Sequence, residues 1–111
     1  MTDTPGLIHC VAFTWRPDTS AAAIEAVRAG LAALRRNLGL ADYRFGEDLG
    51  LGDGNADFAV IARFSSADAW RSYMNHPEHQ RLIADQVRPI LATRVAFQIH
   101  SGSTNADPEP H

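Results

Sequence analysis

Apolar residues along this chain alternate in some stretches and recur every three or four residues in others, and the change of period marks out the elements. Leu7–Trp15 (LIHCVAFTW) is rich in β-branched and aromatic residues and runs into Arg16-Pro17, which predicts a strand closed by a turn. Its alternation puts His9, Val11 and Phe13 on one face and Ile8, Cys10 and Ala12 on the other. Thr19 or Ser20 can cap a helix to about Leu38, with Ile24, Val27, Leu31, Leu34 and Leu38 on one side and Gly39 as the stop. Tyr43–Leu49 reads as a second strand, weakened by Gly46. The following GLGDGNAD stretch reads as a hairpin loop, and Asp57–Phe64 as a third strand returning antiparallel. Ser65 or Ser66 opens a second helix to about Met74. Pro77 suits the first turn of another helix to about Val87, limited by Pro89, and Arg94–His100 makes a last strand.

The order β-α-β-β-α-β predicts an α+β, ferredoxin-like domain, an antiparallel sheet with helices on one face. The folded unit is expected over 7–100, with a loose lead at 1–6 and a polar, Pro-containing tail at 101–111 (SGSTNADPEPH). A chain of 111 residues leaves no room for a second domain, and folding alone buries roughly 65% of its surface. The sheet face away from the helices must be wet or covered. Ile8, Cys10, Ala12, Val60 and Ala62 are read as apolar positions there, so the expected partner is a second copy, the two sheets facing each other to form a homodimer with a shared barrel-like core.

Composition narrows the function. Ten basic residues, all Arg and scattered, against thirteen acidic ones give a net charge of −3, so no extended phosphate-binding surface and no nucleic-acid partner is expected. The absence of Lys excludes Schiff-base chemistry and a Walker-type loop. One cysteine, Cys10, cannot make an internal disulfide, which favours a reducing, cytoplasmic setting; it reads as a small buried thiol. No apolar run is long enough for a membrane span, and the start, MTDTPGLIHC, does not resemble an export signal.

Chemistry concentrates in His9, Tyr73, His76 and His79. His76 stands at or before a Pro-initiated helix, and His79 follows three residues on. If that helix packs on the face carrying His9, two imidazoles and a phenol converge in an apolar pocket. Imidazole titrates near neutrality and suits proton abstraction beside a carbonyl. The catalytic reading casts His79 as general base, His9 as its hydrogen-bonding partner and Tyr73 as donor to a substrate carbonyl. The competing readings are structural: His76 as a helix cap, His9 and His79 as core histidines satisfying each other, Tyr73 as a packing residue. His9, His76, His79 and Glu78 are also metal-ligand types, but the three-residue spacing across Pro77 is awkward for one ion; no metal and no organic cofactor is expected. Trp15 and Trp70 line a pocket mouth or simply pack.

The segment Tyr73-Met74-Asn75-His76-Pro77-Glu78-His79 resembles the stress-responsive A/B barrel (Dabb) family of dimeric α+β barrels. His9 in HCVAF, Gly46-Glu47-Asp48, Asp57-Phe58-Ala59-Val60 and Phe64-Ser65-Ser66 extend the resemblance over nearly all of 7–100. The resemblance implies a ferredoxin-like monomer dimerising through its sheet, with a small-molecule cavity between sheet and helices. Some members look like stress-induced proteins without established chemistry. Others include a plant cyclase closing a polyketide chain by an aldol step, in which a strand-one His, a helix Tyr and the last His of HPxH serve the pocket. Those positions correspond to His9, Tyr73 and His79, with His76, Leu31 and Phe13 as further substrate-binding candidates. A first-helix Tyr of that cyclase falls at about Leu31 here, where this chain departs from its pattern. The expected function is thus a polyketide-like cyclase or lyase working by His/Tyr acid–base chemistry, the alternative a non-catalytic ligand-binding dimer.

Overall fold

The computed structural model describes residues 6–101, so the lead and tail expected at 1–6 and 101–111 lie, apart from Gly6 and Ser101, outside the described residues. Four strands, β1 (Leu7–Trp15), β2 (Tyr43–Glu47), β3 (Phe58–Phe64) and β4 (Leu91–His100), form one antiparallel sheet in the order β2-β3-β1-β4. Helix α1 (Ala21–Leu38) crosses between β1 and β2; α2 (Ala67–Met74) and α3 (Pro77–Leu82) lie between β3 and β4. This is the expected ferredoxin-like arrangement, with the second helical segment broken at Asn75-His76.

Local chemistry accounts for each boundary. The Ser20 hydroxyl accepts from the Ala23 N–H and caps α1, and the Ser66 hydroxyl accepts from the Ala69 N–H and caps α2. Helix α1 stops where Gly39 takes φ 65°, a left-handed position from which the Gly39 and Leu40 N–H groups close onto the carbonyls of Arg36 and Arg35. Gly30, in the middle of α1, lets Leu82 of α3 lie directly against the helix backbone. Val27, Leu31 and Leu34 of α1 are buried against the inward row of β1 (His9, Val11, Phe13, Trp15) and of β3 (Phe58, Val60, Ala62, Phe64).

Three boundaries move, and one face assignment is corrected. Val60 and Ala62 face the helices, not the opposite side, because they stand directly across from Val11 and His9, and residues directly paired across antiparallel strands share a face. The outward row carries Ile8, Cys10 and Ala12 of β1, Ile61 of β3, and Val95, Phe97 and Ile99 of β4; the last three and Ile61 are each about half exposed. Strand β2 ends at Glu47 rather than Leu49, where Asp48 takes over the turn: its carboxylate accepts from the Gly50 N–H and the Asn55 amide. The helix expected to reach Val87 changes pitch after Leu82, becoming a wide π-type turn at Ile83–Val87 in which the Arg88 N–H reaches back to the Ile83 carbonyl. A short 3₁₀ turn (Arg88–Ile90) follows, and β4 starts at Leu91, three residues early, because a register shift at Thr14/Trp15 lets Leu91 pair with Trp15.

Replacing Gly39 by Ala places a Cβ at a left-handed residue where no neighbouring atom stands within 4 Å, so the cost is backbone strain alone. Gly39→Ala is expected to lower the unfolding free energy by about 1 kcal/mol while leaving the sheet unchanged, checked by urea denaturation beside the circular dichroism spectrum.

Candidate functional site

Between the inward face of the sheet and the helices lies a cavity of about 360 Å³. Val11, Phe13 and Val60 of the sheet and Leu31 of α1 give it apolar walls, and the π-type turn contributes Ile83, Ala84 and Val87. His9, Tyr73, Gln80 and His79 supply polar groups, and among the described residues Arg88 and Arg94 are the only charged ones and no carboxylate lines it. Five residues singled out in the sequence, His9, Phe13, Leu31, Tyr73 and His79, therefore meet around one space. His76 does not: it caps α3, its Nδ1 accepting from the Glu78 N–H at 3.1 Å.

His9 is 3% exposed, and its partners decide its tautomer. The indole Nε1–H of Trp70 points at His9 Nδ1 from 3.2 Å and the Gln98 amide nitrogen from 3.0 Å. Both are donors, so Nδ1 holds the lone pair and the ring proton sits on Nε2. Burial holds the His9 pKa down at about 4, and the nearby Arg94 guanidinium and His79 push the same way. His9 is therefore neutral at pH 7 and offers Nε2–H as a donor.

His79, 8% exposed, has the complementary tautomer. Its Nδ1 lies 3.2 Å from the Met74 carbonyl, which can only accept, so Nδ1 carries the proton and Nε2 the free lone pair. Burial lowers its pKa; the Met74 hydrogen bond opposes this, while Arg94 and His76 reinforce it. The two imidazoles do not hydrogen-bond to each other; Tyr73 stands between them, its ring centroid 6.1 Å from that of His9 and 4.5 Å from that of His79. The Nε2 atoms have no hydrogen-bond partner among the described residues, yet the one side-chain polar atom there both sealed and unpartnered is Trp15 Nε1. Both Nε2 atoms are thus accessible, and the cavity their rings line is the space open to them.

The Tyr73 hydroxyl meets the Tyr43 hydroxyl at 2.7 Å in a buried contact. Burial pushes Tyr73 up to about 12, against the hydrogen bond from Tyr43, and raises Tyr43 further. Both phenols stay protonated at neutral pH, and either hydroxyl can be the donor of the bond they share.

Tyr43, Gln98, Arg88 and Arg94 were not legible as site residues, and Trp70 was read only as lining a pocket mouth or packing. Trp70 lies outside the cavity lining and instead holds His9, one helical turn before Tyr73. Gln98 stands directly opposite His9 in the sheet, a lone amide in the strand RVAFQIH, and that polar position in an apolar alternation was the available signal. Trp15 packs on Phe13 and Phe58 away from the mouth, and Cys10, half-buried, lies on the outward face. Among the described residues no three His, Cys, Asp or Glu side chains gather as a metal site, and no helix is long and apolar enough to cross a membrane.

The sequence matches the profile of the stress responsive A/B barrel domain over residues 7–101. The chain belongs to the Dabb family. Among solved structures, this Dabb domain is similar to a dimeric ferredoxin-like protein of unknown function from Thermobifida fusca YX, at 37% identity and TM-score 0.81 over 90% of this chain and 94% of that one. The hydroxynitrile lyase of Passiflora edulis shares the fold at 17% identity and TM-score 0.77, covering 91% of this chain and 97% of the lyase. A Dabb family protein from Mesorhizobium loti MAFF303099 does so at 15% identity and TM-score 0.72, over 86% and 96% of the two chains. No curated protein matches the sequence.

The depressed histidine pKa values have a sign that can be checked. Between pH 6.5 and about 4 the unfolded chain binds a proton at His9 that the folded domain does not, so stability is full above pH 6.5 and is lost as the pH falls towards 4. His9 alone accounts for a loss on the order of 3 kcal/mol over the whole window, and His79 adds to it in the same direction. Urea unfolding at pH 7, 6.5, 6 and 5.5, where carboxylates contribute little, is expected to show a steadily falling midpoint; a flat profile contradicts the assigned protonation states.

Proposed function

We propose that this Dabb protein is a cofactor-independent acid–base enzyme of the cyclase or lyase kind, acting on a small carbonyl compound held between sheet and helices. The observation that carries the reading is the pair of neutral imidazoles with opposite tautomers: a lone pair at His79 Nε2 and an N–H at His9 Nε2, both open to one apolar cavity. His79 Nε2 removes a proton from carbon or oxygen next to the reacting C–C bond. The oxygen that gains charge, an enolate in ring closure or an aldol step, accepts from His9 Nε2–H and from the Tyr73 hydroxyl, and the protonated His79 returns the proton to product. Neutral donors suit this better than an imidazolium, because they stabilise developing charge without having to be desolvated as ions. The polyketide-like substrate class rests on the family resemblance, and the lyase variant on the Passiflora lyase sharing the fold.

The functional unit in this reading is a homodimer. Its partner surface is the outward row of Ile8, Ala12, Ile61, Val95, Phe97 and Ile99, an apolar band no monomer in water would keep bare. The Thermobifida fusca relative is itself described as dimeric, which supports the same assembly here. Phe97→Glu puts a charge in the middle of that band, and sedimentation is expected to turn a dimer of the wild type into a monomer of the variant. A wild-type monomer, or a variant that still dimerises, assigns the band another role.

Catalysis is tested without knowing the natural substrate by following α-proton exchange of 4-phenylbutan-2-one in D₂O by NMR. The wild type is expected to accelerate exchange, His79→Ala to lose about a hundredfold or more, and His9→Phe roughly tenfold. Acceleration undiminished in His79→Ala removes that residue as the base. A ketone that binds without exchanging leaves the non-catalytic, ligand-holding reading in possession of the cavity.

A further inference from the structure

We infer that the cavity is built for a ligand with an apolar body and a carboxylate, the carboxylate being gripped at the mouth by Arg94 and Arg88. This rests on the proposal that the cavity takes a small molecule, and it names that molecule's class. Arg94 lies on the inward side of β4, directly across from Phe13, and is close enough to both imidazoles to bias their charge. Arg88 ends the π-type turn, where the wide pitch carries its backbone N–H back to Ile83 at the cavity wall. Both arginines are exposed residues, and both line the cavity.

Three arginines pair with carboxylates, Arg28 with Glu25 and Glu47, Arg63 with Asp42 and Arg71 with Asp68, and two donate to backbone carbonyls, Arg35 to Tyr43 and Arg16 to Leu91. Among the described residues Arg88 and Arg94 meet no carboxylate, and they are set apart from the other arginines without one by lining the cavity. Two unneutralised cations at the rim of an otherwise apolar space, with neutral imidazoles behind them, are complementary to an amphipathic monoanion. A guanidinium fork matches a carboxylate in two parallel hydrogen bonds, and the apolar walls take the remainder of the ligand. Orientation follows: with the carboxylate held by the arginines, the ligand's other end lies against Val11, Leu31 and Val60, and its middle passes beside His9, Tyr73 and His79.

Two matched pairs test this, 3-phenylpropionate with 3-phenylpropanamide and hexanoate with hexanamide, which differ in charge but hardly in shape. Binding is followed by calorimetry, and the imidazole ¹H–¹⁵N signals report whether a probe sits in the cavity. The wild type is expected to bind each acid at least tenfold tighter than its amide, with the margin shrinking as salt is added. The double variant R88Q/R94Q is expected to bind acid and amide alike, with amide affinity unchanged, and R88K/R94K to keep part of the preference. Both positions are exposed, so melting temperatures near that of the wild type accompany these results. Equal binding of acid and amide by the wild type, or a preference that survives R88Q/R94Q, overturns the carboxylate assignment alone. If no probe perturbs the histidine signals, the cavity is not a ligand site, and this inference falls together with the proposed function.

Discussion

The register of β1 between its two neighbours is the constraint on which the rest of the molecule depends. Pairing His9 with Ala62 on one side and Gln98 on the other sets the imidazole on the inward face, beside a residue too small to crowd it and one able to hydrogen-bond it. The same register lines up Val11 with Val60 and Ala96, and Phe13 with Phe58 and Arg94, so the apolar wall and the cation at the mouth come from one alignment. A slip by one residue would turn His9, Val11 and Phe13 outward and present Ile8, Cys10 and Ala12 to the helices, losing the core and the site together.

A polar ring in that position costs stability unless its nitrogens are satisfied or left accessible. Trp70 and Gln98 converge on one nitrogen of His9, while the Met74 carbonyl takes one nitrogen of His79. The remaining nitrogens face the cavity. Desolvation then does two things with one cause: it keeps both rings uncharged at neutral pH, and it gives their hydrogen bonds more electrostatic weight than they would have in water. The Tyr43–Tyr73 pair follows the same logic, with two hydroxyls that would each be buried unpaired satisfying one another.

The two faces of the sheet answer different needs. The inward one, with α1 at its back, makes most of the core in a domain too small to make a large one; the outward one leaves Val95, Phe97 and Ile99 half exposed on the edge strand β4. Gln98 and Arg94 lie on the inward side of that same strand, so whatever covers its outer side also steadies the residues that orient His9 and edge the cavity.

Period, end signals and short motifs in the chain were enough to determine the element order, the stop at Gly39, the shared face of His9, Val11 and Phe13, and the family, and they narrowed the helix caps to Thr19 or Ser20 and Ser65 or Ser66, because these depend on residues near one another in sequence. The meeting of His9, Tyr73 and His79 was legible as an expectation. The roles of Trp70 and Gln98, 61 and 89 residues from His9, were not, since only the fold sets them at hydrogen-bond distance. Val60 and Ala62 were put on the wrong face because alternation gives a strand two faces without saying which is inward; pairing with β1 decides that. The histidine tautomers, the pitch change after Leu82 and the convergence of Arg88 with Arg94 were likewise left to tertiary structure. Each depends on what a side chain meets across the core, and local sequence carries no record of that distance.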